Sequence, residues 1–415
     1  MHKPNLEHEY DAIVIGGGIA GTAIVKSLKN NGINNFLLID EGVSPATGTS
    51  NHFAALCHPY IGRGASRLQR LTHLAFDEAR LVWANNWCQG GVFHLAKKGA
   101  SFNKEKLSER LLSLGFNNDN AIALSEDESK PIIGIQAAGT WFPSGGWVNL
   151  KKSCEEELNR LLPRQVMWQT KLTKIDRDGK LWVVFDQDKN PLAKAKRIFL
   201  AASLGTKGLA ETAGIHLPLK PVRGQLSTFG FLKTTPWAEN LPKVALSGKA
   251  YCLPPTQLSG DVYEWQVGST YDEEVSDLSP WAVSHEENRH QLAEMIGVAL
   301  TEETLMAKDA FVGIRCVAKD RLPMMGPVPG YPGIYVLTAL GSRGVMWSAL
   351  ASQMFTEHLA YEMAQSAFLD ARFFAGARLT AAGLTDDLAG ALSPARFLAG
   401  VSNSKPILPS GCLAK

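Results

Sequence analysis

The stretch Tyr10-Asp11-Ala12-Ile13-Val14-Ile15-Gly16-Gly17-Gly18-Ile19-Ala20-Gly21 decides how the rest of the chain is read. An apolar run of strand length ends on three glycines, and a helix-like pattern starts straight after them. Each glycine has a physical job. Gly16 allows the tight turn, Gly18 lets a pyrophosphate approach the backbone, and Gly21 lets the helix pack closely on the strand. The helix N-terminus then offers unpaired N–H groups and a partial positive charge to phosphates. A second strand, Phe36-Leu37-Leu38-Ile39, ends on Asp40, whose carboxylate is placed to hold a ribose hydroxyl. A bare G-x-G-x-x-G says little. The strand before it, the helix after it and the acid beyond it together predict a dinucleotide-binding βαβ unit over residues 10–40.

The bulk properties leave room for more than this unit. With 415 residues and 45% apolar content, the chain is long enough for two or three ordinary globular domains. A net charge of +2 excludes a strongly basic nucleic-acid coat protein but leaves local basic patches open. The polar first ten residues show no secretory signal, and no apolar run approaches the roughly twenty residues of a membrane span. A cytoplasmic protein without a membrane contact is expected. The six cysteines carry no C-x-x-C pair and read as reduced, mostly buried thiols. His52, Cys57 and His58 lie close together, but no carboxylate or second cysteine completes a familiar ligand spacing, so no metal is expected.

Beyond residue 40 a Gly/Ser/Thr-rich loop runs from Ser44 to Asn51. Apolar spacing from Ser66 to Trp87 predicts a long amphipathic helix, and a second helical pattern runs from Val148 to Leu162. Val166 to Phe185 reads as two strands turning at Asp178-Gly179. Ile198-Phe199-Leu200-Ala201-Ala202 is the continuous apolar run of a parallel strand covered on both faces. From Pro221 to Gly268 the period shifts towards two, which predicts an antiparallel sheet. Residues 286–298 read as helix, and Phe311 to about Tyr361 returns to a glycine-punctuated α/β pattern. The Ala- and Leu-rich end reads as helical, broken at Pro394.

The late segment separates the two common dinucleotides. Gly313-Ile314-Arg315-Cys316 through Asp320-Arg321-Leu322-Pro323-Met324 is followed by Gly341-Ser342-Arg343-Gly344 and a helix. An NAD dehydrogenase has no need of a second glycine turn feeding a helix so far downstream. A flavin does, because its ring gains negative charge on reduction and a helix N-terminus stabilises that charge.

These pieces resemble the D-amino-acid oxidase and glycine oxidase superfamily of FAD enzymes. Within it, the chain is most similar to the FAD-dependent oxidoreductase half of the bifunctional tRNA 5-methylaminomethyl-2-thiouridine biosynthesis family. The matching pieces are the Gly16 turn, Ala54-Ala55-Leu56 with Pro59, Phe142-Pro143-Ser144-Gly145-Gly146-Trp147, Gly224-Gln225, the Gly313 to Met324 segment and Ala339-Leu340-Gly341-Ser342-Arg343-Gly344. The similarity recurs weakly at Leu392-Ser393-Pro394-Ala395-Arg396. It implies an α/β fold: a Rossmann-like FAD-binding domain (residues 1–90, 141–220 and 308–363) interrupted by an α+β substrate domain with an antiparallel sheet (91–140 and 221–307). A helical extension (364–415) follows. The family's usual methyltransferase domain does not precede this region, so the resemblance implies a stand-alone oxidoreductase, with a separate methyltransferase as a candidate partner.

The implied reaction is flavin oxidation of the 5-carboxymethylaminomethyl group of the tRNA wobble uridine, releasing glyoxylate and leaving 5-aminomethyluridine. Dioxygen or another acceptor would reoxidise the flavin. The alternative is a small-molecule oxidase of glycine, sarcosine or a D-amino acid. The resemblance implies cofactor contacts at Gly16, Gly18, Ile19, Ala20, Gly21, Asp40, Ser50, Asn51, Ala54, Ala201, Gly205, Gly341, Ser342, Arg343 and Gly344. It makes Arg315 the cation for the substrate carboxylate, against an ion pair with Asp320. Tyr251 is the substrate-facing tyrosine, against a half-buried strand aromatic. Arg343 approaches flavin or substrate, against a loop-stabilising role. Related sarcosine oxidases attach FAD through a cysteine farther upstream of the Asp than Cys316 is from Asp320, so non-covalent FAD is expected. Arg63, Arg67 and Arg70, or Lys194, Lys196 and Arg197, could neutralise RNA phosphates or form ordinary solvated faces.

Overall fold

A computed structural model describes residues 8–62, 64–97, 102–239, 241–365 and 376–398. The strand Glu9–Ile15 lies at the centre of an eight-stranded sheet, paired in parallel with Phe36–Ile39 on one side and Pro191–Leu200 on the other. In register, Ile13 sits between Leu37 and Ile198, and all three are almost fully buried. Both faces are covered along Ala12–Ile15, Phe36–Ile39 and Ile198–Leu200, which is why these stretches read as unbroken apolar runs. Val166–Met167 extends the sheet beyond Phe36–Ile39, and Ile334–Thr338 pairs with the end of Pro191–Leu200. The expected hairpin is present as Leu172–Asp178 and Leu181–Asp186, turning at Gly179 with positive φ.

The helix Ile19–Asn30 packs over this sheet against a second helix, Gly344–Gln365. The latter is buried from Val345 to Leu359 on nearly every side, the behaviour expected of a helix that is apolar all round. Ser27 Oγ donates to the Ser352 carbonyl at 2.8 Å and ties the two together. The amphipathic stretch after the Gly/Ser/Thr-rich loop forms a helix over Arg67–Val82, capped by Ser66, whose side chain accepts from the Gln69 N–H. The Ala-Ala-Leu and Gly-Gly-Trp pieces, far apart in sequence, meet in a small sheet where Ala55–Cys57 pairs with Gly146–Val148.

A ten-stranded, largely antiparallel sheet forms the other half of the molecule. Its spine is the long strand Leu219–Leu232, flanked by Val262–Gly268 and Met306–Ala318. The boundaries expected at residues 220/221 and 307/308 therefore fall inside strands of this sheet. The α/β architecture with its added antiparallel sheet is the expected fold class. Of the end segment, Ala377–Ala381 and Asp386–Leu392 are helical, and Pro394 opens a 3-10 turn. Arg378 pairs with Glu78 on the Arg67–Val82 helix, and Arg396 holds Asp320. Among the described residues no helix is long and apolar enough to cross a membrane.

Candidate active site

The central strands end together, and a cavity of about 910 Å³ opens there between the early and late glycine turns. Gly16 has a φ of +118°, and a Cβ on it would lie 2.4 Å from the Ala201 carbonyl oxygen. Gly18 caps the first helix with no side-chain cap of its own and no acidic residue in the first turn. The Ile19 N–H donates to Ser50 Oγ at 3.0 Å. Asp40 accepts from the Gly17 and Gly42 N–H groups at 2.6 and 2.7 Å, and each carboxylate oxygen keeps a lone pair for a ribose hydroxyl. Gly16, Gly18, Ile19, Ala20, Asp40, Ser50, Ala201 and Gly205 all line this end.

At the other end Gly341 has a φ of +56° and donates its N–H to the Cys316 carbonyl at 3.0 Å. Gly341, Ser342, Arg343 and Gly344 line the cavity where the Gly344–Gln365 helix begins, again with no acid in its first turn. The features fit FAD. The cradle at Gly16 and Gly18 would hold the pyrophosphate, Asp40 the ribose, and the start of the Gly344–Gln365 helix would supply positive potential to the flavin ring.

The part of the cavity wall that carries Arg315 is built from the antiparallel sheet. Gly224 stands opposite Gly313, and a Cβ on Gly224 would lie 2.2–2.4 Å from the Arg315 guanidinium, so the glycine makes room for it. Arg315 Nη1 donates to the Arg223 and Thr270 carbonyls at 3.3 and 3.2 Å, and Nη2 donates to Ser269 Oγ. Burial pulls its pKa below the ordinary arginine value, opposed by Tyr251, Tyr271 and Asp272 nearby. No carboxylate among the described residues forms an ion pair with it. The Asp320 alternative fails, because Arg396 grips both oxygens of that carboxylate at 2.7 and 3.1 Å.

Tyr251 Oη lies 2.7 Å from His52 Nε2 and 3.2 Å from the Ala54 carbonyl. The Ala54 N–H donates to His52 Nδ1 at 3.3 Å. Burial, then the Arg315 charge, lowers the His52 pKa from 6.5 to about 4, so the ring is neutral. Burial also raises the tyrosine. A second cluster stands beside it: Ser247 Oγ lies 2.9 Å from His58 Nε2 and 3.2 Å from His94 Nδ1. Arg343 is half-buried with its guanidinium 5.6 Å from the Tyr60 ring centre, and burial lowers its pKa.

Three expected cofactor residues stand outside the cavity wall. Gly21 faces the Gly16 carbonyl, 1.8 Å from where its Cβ would be, so it serves helix packing. Asn51 is exposed and donates its N–H to Gly48, while Ala54 is fully buried and serves Tyr251 and His52 through its backbone. The sequence reading missed His52, His58, Ser247, Ser269 and Tyr271, all of which line the cavity. The histidines were visible only as failed metal ligands. Strand pairing brings Ser269 and Tyr271 in, with no local signal.

The basic cluster before the Pro191–Leu200 strand's end is paired internally: Lys194 with Glu9, Lys196 with Asp11 and Arg197 with buried Glu362. Arg67 faces Asp387, and Arg63 lies outside the described residues. Cys57, Cys88, Cys154, Cys252 and Cys316 are free thiols, and Cys412 lies outside the described residues.

Comparison with known proteins identifies the family. The chain is 30% identical over 428 residues to the "tRNA 5-methylaminomethyl-2-thiouridine biosynthesis bifunctional protein MnmC" of Ralstonia nicotianae, covering 94% of this chain and 60% of that one. The protein of the same name from Thiobacillus denitrificans is 29% identical over 351 residues, covering 82% and 54%. The chain thus spans somewhat more than half the length of these relatives. Among solved structures, glycine oxidase from Geobacillus kaustophilus superposes with a TM-score of 0.67 at 18% identity, covering 87% of this chain and 95% of that one. Iminodiacetate oxidase from Chelativorans sp. BNC1 gives 0.67 at 15%, covering 84% and 95%. These likenesses show the fold. The profile of the FAD dependent oxidoreductase family matches residues 11–358, and the chain belongs to that family.

Proposed function

We propose that this chain oxidises the 5-carboxymethylaminomethyl arm of the tRNA wobble uridine, releasing glyoxylate and leaving 5-aminomethyluridine. The observation that carries the reading is Arg315, a guanidinium facing the flavin cavity with no carboxylate partner among the described residues. A half-buried cation of this kind is completed by an acidic ligand, and the planar fork suits a carboxylate. The names of the curated relatives supply the tRNA context.

The arm is a secondary amine, R–NH–CH2–COO⁻. Loss of a hydride from the methylene and a proton from nitrogen gives the imine R–N=CH–COO⁻. Water then adds across C=N and the C–N bond breaks to R–NH2 and OHC–COO⁻. Bound FAD supplies the two-electron acceptor, and dioxygen or another oxidant restores it. Arg315 holds the carboxylate, which fixes the methylene next to it in a single place. Leu226 and Phe311 line the wall and limit bulk water there until the imine has formed, after which one water adds to it. Arg343 adds a second positive charge towards the flavin or the substrate. FAD is held without a covalent bond. The 5-aminomethyl product suits a methyltransferase acting next.

A small-molecule oxidase would use Arg315 in the same way, so the test is the substrate. Pure protein is incubated with tRNA carrying the modification, and the nucleosides are measured by mass spectrometry. Conversion of the carboxymethylaminomethyl form to the aminomethyl form is expected. Peroxide from free glycine or sarcosine, with the tRNA arm untouched, would overturn the proposal in favour of the small-molecule reading.

A further inference from the structure

The Ala54 backbone, His52 and Tyr251 close a ring of hydrogen bonds whose direction can be read from its chemistry. The Ala54 N–H can only donate, so His52 Nδ1 is its acceptor and carries no proton. A neutral imidazole then carries its proton on Nε2, and that N–H donates to Tyr251 Oη. The Ala54 carbonyl can only accept, so the tyrosine proton points to it. Both hydrogens at the Tyr251 oxygen are therefore assigned, and Tyr251, which lines the cavity, has only a lone pair left on that oxygen to offer a ligand. His52 is nearly buried, with Phe311 edge-on at 5.5 Å and Phe53 stacked at 6.3 Å, so its ring has little freedom to turn over.

We infer that His52 fixes the Tyr251 hydroxyl as a hydrogen-bond acceptor facing the cavity, and that this oxygen selects substrates bringing an N–H group beside their carboxylate. The inference rests on the proposed role of Arg315, whose charge acts directly on Tyr251. A carboxylate on Arg315 places the neighbouring amine next to the tyrosine oxygen, where one N–H can be accepted. An ether or hydroxy acid of the same shape sets a lone pair against a lone pair. Tyr251 thus orients the amine, and His52 is a positioning residue acting through it.

Pyrrole-2-carboxylate and furan-2-carboxylate test this, because they share a carboxylate and a shape but present N–H and ring oxygen respectively. Neither carries a hydrogen on the carbon that bears the carboxylate, so neither has a hydride to lose there. Binding to the FAD-loaded enzyme is read from perturbation of the flavin absorbance. Wild type should prefer the pyrrole by about tenfold, the scale of one neutral hydrogen bond gained against one left unmade. Tyr251→Phe and His52→Leu should each collapse that ratio towards one, while His52→Gln, which keeps a donor for the tyrosine, should restore most of it. The ratio is insensitive to a general loss of stability, and flavin content reports whether each variant has folded. Equal binding in wild type, or a preference unchanged in Tyr251→Phe and His52→Leu, would overturn the inference. If neither acid perturbs the flavin of the wild type, the carboxylate role of Arg315 falls first, and this inference with it.

Discussion

Arg315 is held by two carbonyls and a serine hydroxyl, all neutral acceptors, so its charge remains to be answered by a ligand. Arg315→Ala should leave FAD bound, because the residue stands on the antiparallel sheet and on neither glycine turn. Apparent affinity for the carboxylate substrate should weaken by about 2–5 kcal/mol, the cost of deleting one partner of a desolvated, hydrogen-bonded charge pair. Steady-state kinetics together with the flavin spectrum check this, and loss of flavin would place the arginine in the cofactor site instead. Cys316 also borders the cavity, yet its thiol is buried, contacts Thr338 Oγ1 at 3.4 Å and has its pKa raised by burial. A protonated thiol is a poor nucleophile. Acid precipitation should therefore release all the yellow colour into the supernatant, and colour retained in the pellet would show a covalent link.

At the scale of elements, the first turn works only with glycine at its tip. Gly16→Ala adds a Cβ that would overlap the Ala201 carbonyl, at a φ that side chains rarely adopt. Purified Gly16→Ala protein should carry much less FAD than wild type, measured as the ratio of flavin to protein absorbance. The end segment is a second device of this scale. Arg396 bonds both Asp320 oxygens and also the Leu322, Leu392 and Ser393 carbonyls. It fastens the turn after the Asp386–Leu392 helix to the loop that follows the strand bearing Arg315. Arg396→Ala should cost about 1–3 kcal/mol, as charge-assisted hydrogen bonds of limited exposure are lost, and should appear as a lowered thermal midpoint. An unchanged midpoint would mean that the segment is not fastened there. The Ser-Pro-Ala-Arg motif thus has a mechanical reason to exist.

For the molecule as a whole, stability should depend on pH through its buried histidines. His52, His58 and His94 all have folded-state pKa values lowered chiefly by burial, His52 to about 4 and His58 to about 3. Unfolded, each titrates near 6.5, so below that value the unfolded chain binds the proton first and stability falls with falling pH. The loss begins near pH 6.5 and, for His52, continues to about pH 4. At pH 5 His52 alone contributes a loss of about 2 kcal/mol, from 1.36 kcal/mol per pH unit. Urea midpoints at pH 7 and pH 5 should show the decline, and His52→Gln should shrink it. A pH-independent difference between variant and wild type would refute this account.

The sequence by itself determined the βαβ unit, the flavin as its cofactor and the family. The glycine turn, its flanking strand and helix, and Asp40 are written within a short stretch, where each residue's role follows from local backbone geometry. The late Gly-Ser-Arg-Gly bend is legible for the same reason. Only the tertiary structure decided which groups line the cavity around Arg315. His52 meets Tyr251 across 199 positions, Arg315 reaches Ser269 across 46, and Asp320 turns from Arg315 to Arg396 across 76. Such meetings depend on the register of strand pairs such as Gly224 with Gly313 and Tyr251 with Gly268. Register is set by burial over whole strands, so no short stretch around any of these residues could announce its partner.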